Sequence, residues 1–135
     1  MYTSKTQIRV RYAETDQMGY VYYGNYAAYY EVARVESLRQ LGLSYKDLEG
    51  NGIIMPVLEN YSKYILPGRY DELLTVKVII KKKPGLKIIF NYEIYNEEDN
   101  LINIGETKLD FVDISTNKPC RIPDEMAGAL AGYFS

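Results

Sequence analysis

The polarity of the chain changes period twice. Over residues 5–12, Ile8, Val10 and Tyr12 fall on one side and Gln7, Arg9 and Arg11 on the other, the period-two pattern of a half-buried strand. Over residues 24–41 the period becomes three and four. Tyr26, Tyr29, Tyr30, Ala33, Ser37/Leu38 and Leu41 then share one face of a single long helix. Asn25 is its expected N-cap, and Gly42 sits where a left-handed C-terminal cap belongs. One more helical turn is predicted over 44–48 with Ser44 as cap, and Asn51-Gly52 marks a turn.

Alternation then returns. Strands are predicted from about Met55 or Val57 to 66, over 73–82, over 86–96 and over 101–114. In the second of these Leu74, Val76, Val78 and Ile80 alternate with Thr75 and Lys77; in the third, Ile88, Phe90, Tyr92 and Ile94 share one face. Pro56 suits the start of an edge strand. Pro67-Gly68-Arg69-Tyr70-Asp71, Pro84-Gly85 and residues 97–100 read as turns, and Pro123 opens a short C-terminal helix. Short turns join antiparallel neighbours. The expected fold is α+β: a five-stranded antiparallel sheet wrapped around one long central helix, in a single domain over residues 1–135.

Composition narrows the chemistry. A chain of 135 residues is long enough for a real core. Its net charge of -2 gives no global attraction to nucleic acid or an anionic membrane, and no apolar run reaches the ~20 residues of a membrane span. No signal-like segment opens the chain, so a cytoplasmic location is expected. The single cysteine, Cys120, cannot form an internal disulfide. There is no histidine at all, which removes Ser-His-Asp and Cys-His catalysis and histidine metal sites. Acid–base work falls to carboxylates, Tyr or Lys. No metal or cofactor is expected.

One carboxylate stands out by position. Asp16 lies in a polar loop a few residues before the long helix, whose free N–H groups attract negative charge. Glu14, in the same loop, reads as surface. Glu31 is either a second carboxylate near the site or half of an i,i+3 pair with Arg34, and Arg34 and Glu36 read as helix-surface charges. Lys81, Lys82 and Lys83 either receive phosphates or form a solvated strand end. Of the fifteen tyrosines, Tyr20, Tyr22, Tyr23, Tyr26, Tyr29 and Tyr30 crowd the loop and helix start, as core, subunit-interface or pocket-lining residues.

The stretch RVRYAETDQMGYVYYGNYAAYYEVARVESLRQLG, with its T-D-x-x-G segment, its V-Y-Y-G-N-Y and its E-V-A-R-V-E-x-L-R helix, resembles the hotdog-fold family of 4-hydroxybenzoyl-CoA and Tol-Pal-associated acyl-CoA thioesterases. The P-G-R-Y-D-E-L-L-T-V segment fits the same family. The resemblance implies an acyl-CoA thioesterase that hydrolyses its substrate to a free acid and CoA. It implies that Asp16 is nucleophile or general base, and that backbone N–H groups at Tyr23 and Gly24 hold the thioester oxygen. Many Tol-Pal-associated members carry His where this chain has Tyr23, and the hydroxybenzoyl-type enzymes carry Tyr there. Gly19, Val21, Asn25 and Tyr26, which flank these positions in the motif, are expected at the substrate, with Lys81, Lys82 and Lys83 at the CoA phosphates. Homodimers or homotetramers with interfacial sites are implied. Rival readings are an acyl-carrier-protein thioesterase, a dehydratase acting on β-hydroxyacyl thioesters, which would want a histidine, and a non-catalytic acyl-thioester-binding hotdog protein.

Overall fold

In a computed structural model, which describes residues 1–134, five strands pair antiparallel in the order β1-β4-β5-β6-β3. They are β1 (Tyr2–Arg9), β3 (Val57–Tyr64), β4 (Leu73–Ile80), β5 (Lys87–Tyr95) and β6 (Leu101–Asp110). The alternation seen in the sequence is the alternation of burial. Leu74, Val76, Val78 and Ile80 on β4, and Ile88, Phe90, Tyr92 and Ile94 on β5, are all buried on one face of the sheet. Asp99 takes a left-handed φ of 65° in the β5–β6 turn, where Asn96 Oδ1 accepts from the N–H groups of Glu98 and Asn100.

Helix α1 (Asn25–Gln40) packs its buried residues on that apolar face. Tyr30 stacks on Tyr92 of β5 with ring centroids 4.1 Å apart, and its hydroxyl meets Ser62 Oγ of β3 at 2.8 Å. Toward the other end of α1, the Tyr2 hydroxyl donates to Ser37 O at 2.8 Å. The helix stops as expected. Gly42 has φ 83°, its N–H donates to Arg39 O, and Leu43 N–H donates to Leu38 O, so two orphan carbonyls are satisfied. Ser44 caps α2 (Tyr45–Gly50) by accepting from Asp47 N–H. A short α3 (Asp124–Leu130) follows Pro123, which takes the N-cap position rather than the first helical one. Among the described residues, no helix is long and apolar enough to cross a membrane.

Several expectations need correction. β1 begins at Tyr2 and ends at Arg9, so Tyr12 is off the strand and 78% exposed. The chain turns because Glu14 reaches back to the Arg11 N–H and closes a 3-10 turn over Tyr12–Glu14. Asn25 is not the N-cap. Gly24 holds that position, and the Asn25 side chain turns back toward the preceding loop. Arg34 is not a surface charge. It lies four residues after Tyr30, on the same buried face, and its guanidinium donates to the Tyr92 hydroxyl at 3.0 Å. Burial pushes the Tyr92 phenol up to about 12 although Arg34 opposes the shift, so it stays a neutral hydroxyl able to accept. The last predicted strand also breaks at Phe111. Beyond it, β7 (Val112–Asp113) joins β2 (Ile53–Ile54) and β8 (Lys118–Pro119) in a small second sheet that the sequence reading lacks.

Candidate active site

The loop between β1 and α1 is a tightly bonded miniature hairpin. Thr15 bridges Val21, and Tyr22 N–H donates to Glu14 O at 2.9 Å. Asp16 N–H donates to Tyr20 O at 2.7 Å. Gly19 closes the tip with φ 79°, a conformation that glycine adopts without the Cβ penalty, and its N–H donates to Asp16 O. Asp16 Oδ1 accepts the N–H groups of Met18 at 2.9 Å and Tyr20 at 3.1 Å. The carboxylate is thereby oriented by backbone rather than by a mobile side chain.

Asp16 opens on a cleft of about 300 Å³ that Met18, Tyr20, Tyr23, Tyr26 and Tyr64 also line. Val21 is buried beside it, held by its N–H on Gly68 O at 2.8 Å. Tyr26 is buried and meets Tyr64 edge-on at 5.4 Å, whereas Tyr23 is 63% exposed. Gly68 lets the strand-connecting loop come close, since a Cβ there would stand 3.0 Å from Val21 Cγ2.

At the helix mouth, Tyr23 and Tyr26 line this cleft and Gly24 lies between them in sequence. Asn25 N–H donates to Tyr22 O and Tyr26 N–H to Tyr23 O, which uses two of the first-turn donors. Among the described residues, the N–H groups of Tyr23 and Gly24 have no hydrogen-bond partner. Two adjacent free donors at the positive end of a sixteen-residue helix can polarise a carbonyl oxygen. A Cβ at Gly24 would stand 2.9 Å from the Tyr22 ring, which is 47% exposed and would have to swing aside.

The remaining expected site residues divide. Asn25 commits its amide Nδ2 to Glu14 O at 2.8 Å. Lys81, Lys82 and Lys83 follow the far end of β4 and line a separate cavity of about 420 Å³ with Lys87 and Lys108. The register pairs Arg9 with Leu73 and Tyr2 with Ile80, so the Asp16 loop and the lysines leave opposite ends of the sheet. The eight residues of β4 span roughly 25 Å at about 3.3 Å per residue. Lys87 and Lys108 are already paired with Asp110 and Glu59.

Glu14 is the residue the sequence reading misplaced. Its side chain is only 16% exposed. One carboxylate oxygen accepts the Tyr29 hydroxyl at 3.0 Å and the Arg11 N–H at 2.8 Å, while the other accepts Arg11 Nε at 3.1 Å. Burial alone would raise this carboxyl. The Arg11 N–H, the Tyr29 hydroxyl and the Arg11 guanidinium outweigh it and hold the group below the usual carboxylate range. Burial, with the Glu14 charge, pushes the Tyr29 phenol up, so it remains a donor. The Arg11-x-x-Glu14 spacing of a capping interaction was the available signal.

Comparison with known proteins gives a consistent result. Residues 10–130 match the family described as the Thioesterase-like superfamily. The chain is 42% identical over 101 residues to the putative acyl-CoA thioesterase YneP of Bacillus subtilis, covering 75% of this chain and 73% of that protein. It is 34% identical over 116 residues to the acyl-CoA thioester hydrolase YbgC of Escherichia coli, covering 86% and 87%. A solved DHNA-CoA thioesterase from Staphylococcus aureus superposes with a TM-score of 0.93 at 39% identity, over 98% of this chain and 91% of that one.

Proposed function

The chain belongs to the Thioesterase-like superfamily, and from that membership we propose that Asp16 and the N–H groups of Tyr23 and Gly24 act together on one thioester carbonyl. The reaction is hydrolysis of an acyl-CoA thioester to the free acid and CoA, on a hotdog-like thioesterase fold. The observation that carries the site assignment is the convergence of Asp16 and Tyr23 on one cleft, with the Tyr23 and Gly24 donors unpaired.

The chemistry asks little of the leaving group. A thiol with a pKa of about 8.5 departs as thiolate without prior protonation. The two free N–H groups take the charge that develops on the carbonyl oxygen, a kind of contact worth roughly 3–4 kcal/mol per donor. Asp16 supplies the oxygen nucleophile by either of two routes. It attacks the carbonyl carbon, the C–S bond breaks, and water cleaves the resulting mixed anhydride. Alternatively it takes a proton from water while the water oxygen attacks the carbonyl carbon, and the C–S bond then breaks to release the CoA thiolate and the free acid.

In this reading Val21 and Tyr26 border the acyl group, Gly19 and Asn25 shape the loop beside it, and the tyrosine lining suits aryl or polar acyl groups. The sheet of this single domain wraps α1 as its central helix. The protein acts as a cytoplasmic homodimer or homotetramer. β3 supports this: it is an edge strand on which Val57, Leu58, Tyr61 and Tyr64 are exposed, and pairing two copies there removes both edges. Antiparallel pairing also swaps strand ends, bringing Lys81, Lys82 and Lys83 of one copy toward the acid loop of the other, where CoA phosphates would need them.

Incubation with a panel of acyl-CoAs and a thiol-reactive dye tests the assignment. Turnover that disappears in Asp16→Asn supports it. Turnover unchanged in that variant refutes it.

A further inference from the structure

We propose that Glu14 is a positioning residue that sets the separation between the Asp16 carboxylate and the free N–H groups at the start of α1. The inference rests on the site assignment above. Glu14 does not line the cleft, so any influence on the reaction must pass through its neighbours.

Its contacts are arranged for that purpose. The carboxylate takes the hydroxyl of Tyr29, a helix residue 2% exposed and more than a full turn inside α1. The Glu14 carbonyl oxygen takes Tyr22 N–H at 2.9 Å, just before the helix, and Asn25 Nδ2 at 2.8 Å, on the first helical residue. Two attachment points at different heights on one helix fix both its rotation and its advance relative to the loop. The Arg11 N–H and guanidinium hold the carboxylate from the segment just past β1, so Glu14 ties both ends of the loop to the helix.

Asp16 is two residues further on, and there is little slack between. Thr15 is pinned by its bridge to Val21 and by its hydroxyl, which donates to Tyr12 O at 2.7 Å. Movement at Glu14 is therefore passed to Asp16 on one side and to Tyr23 and Gly24 on the other. A simple capping role would explain the Arg11 contacts. It would not explain why the carboxylate also takes a buried helix tyrosine.

The test compares Glu14→Ala, Glu14→Gln and Tyr29→Phe with wild type, reading kcat, KM and melting temperature on one hydrolysed acyl-CoA, with Asp16→Asn in the same series. Displacement on the order of 1 Å costs up to about 100-fold in rate, so Glu14→Ala is expected to lose roughly 10- to 100-fold in kcat with KM unchanged. Glu14→Gln keeps an oxygen for the Tyr29 hydroxyl and restores most of kcat. Tyr29→Phe, which preserves the core volume, reproduces much of the alanine loss and keeps the question answerable if Glu14→Ala does not fold. Wild-type kcat in Glu14→Ala or in Tyr29→Phe, with Asp16→Asn inactive, overturns the positioning role alone. A kcat loss that glutamine fails to rescue and that follows melting temperature also overturns it. An active Asp16→Asn overturns the site assignment and this inference together.

Discussion

Gly105 is where the seat of the helix on the sheet is most sharply defined. It lies on β6 between Tyr92 of β5 and Ser62 of β3, and the Tyr30 ring from α1 rests directly on it. A Cβ at Gly105 would stand 2.6 Å from Tyr30 Cε2 and closer still to the ring end that carries the hydroxyl. That ring cannot retreat. It is fully buried, stacked on Tyr92 at an interplanar angle of 4°, and its hydroxyl bonds Ser62 and Asn103. Overpacking of this kind costs about 1–3 kcal/mol or more, and displacing the hydroxyl forfeits roughly 1 kcal/mol per hydrogen bond. Gly105→Ala should therefore cost about 3–5 kcal/mol. For a chain of this length that is a fall of roughly 10–20 °C in melting temperature. Calorimetry at fixed protein concentration reads it directly. In a Tyr30→Leu background the same alanine should cost less than about 1 kcal/mol, because the clashing atoms are gone. A Gly105→Ala protein that melts within about 2 °C of wild type would refute the reasoning.

Other outcomes follow from single contacts. The Glu14 carboxyl is held below its unfolded value of 4.5, so its contribution to stability is present above that pH and is lost as pH falls through the folded value. The loss in urea midpoint between pH 6.5 and 3.5 should accordingly be smaller in Glu14→Gln than in wild type. Removing Lys81, Lys82 and Lys83 together should raise KM for acyl-CoA by about 5- to 35-fold, at ~0.3–0.7 kcal/mol per exposed ion pair, with kcat unchanged. A thioester lacking the nucleotide phosphates should show no such change, and equal effects on both substrates would exclude a phosphate role. Ser44→Ala should cost about 1 kcal/mol in denaturant titration through loss of the α2 cap.

The parts of the fold that sequence made legible are those where polarity alone carries the information. Strands β4 and β5 mostly alternate because one face is buried and the other partly exposed, with Ile79 buried on the second face, and α1 shows its buried stripe for the same reason. Legibility fails where a polar residue is buried by a specific partner. Ser4 and Arg34 carry the buried pattern but not the apolar character, so β1 seemed to start late and Arg34 seemed to face solvent. The three two-residue strands are too short to show any period. In the loop, Asp16 stands out through its motif, whereas Glu14 does not, because its contacts with Tyr29 and Arg11 exist only in the folded chain. The distance from Asp16 to the lysines is likewise a matter of strand direction and register rather than composition.

The central claim is that an oriented carboxylate and two unpaired N–H groups serve the same sulfur-linked acyl group. A crystal structure with a non-hydrolysable acyl-CoA analogue measures this most directly. The account predicts the analogue's carbonyl oxygen at about 2.7–3.1 Å from Tyr23 or Gly24 N–H, with Asp16 Oδ2 beside the carbonyl carbon or the water in line with it. An analogue seated elsewhere, with the Asp16 cleft empty in every subunit, would contradict it.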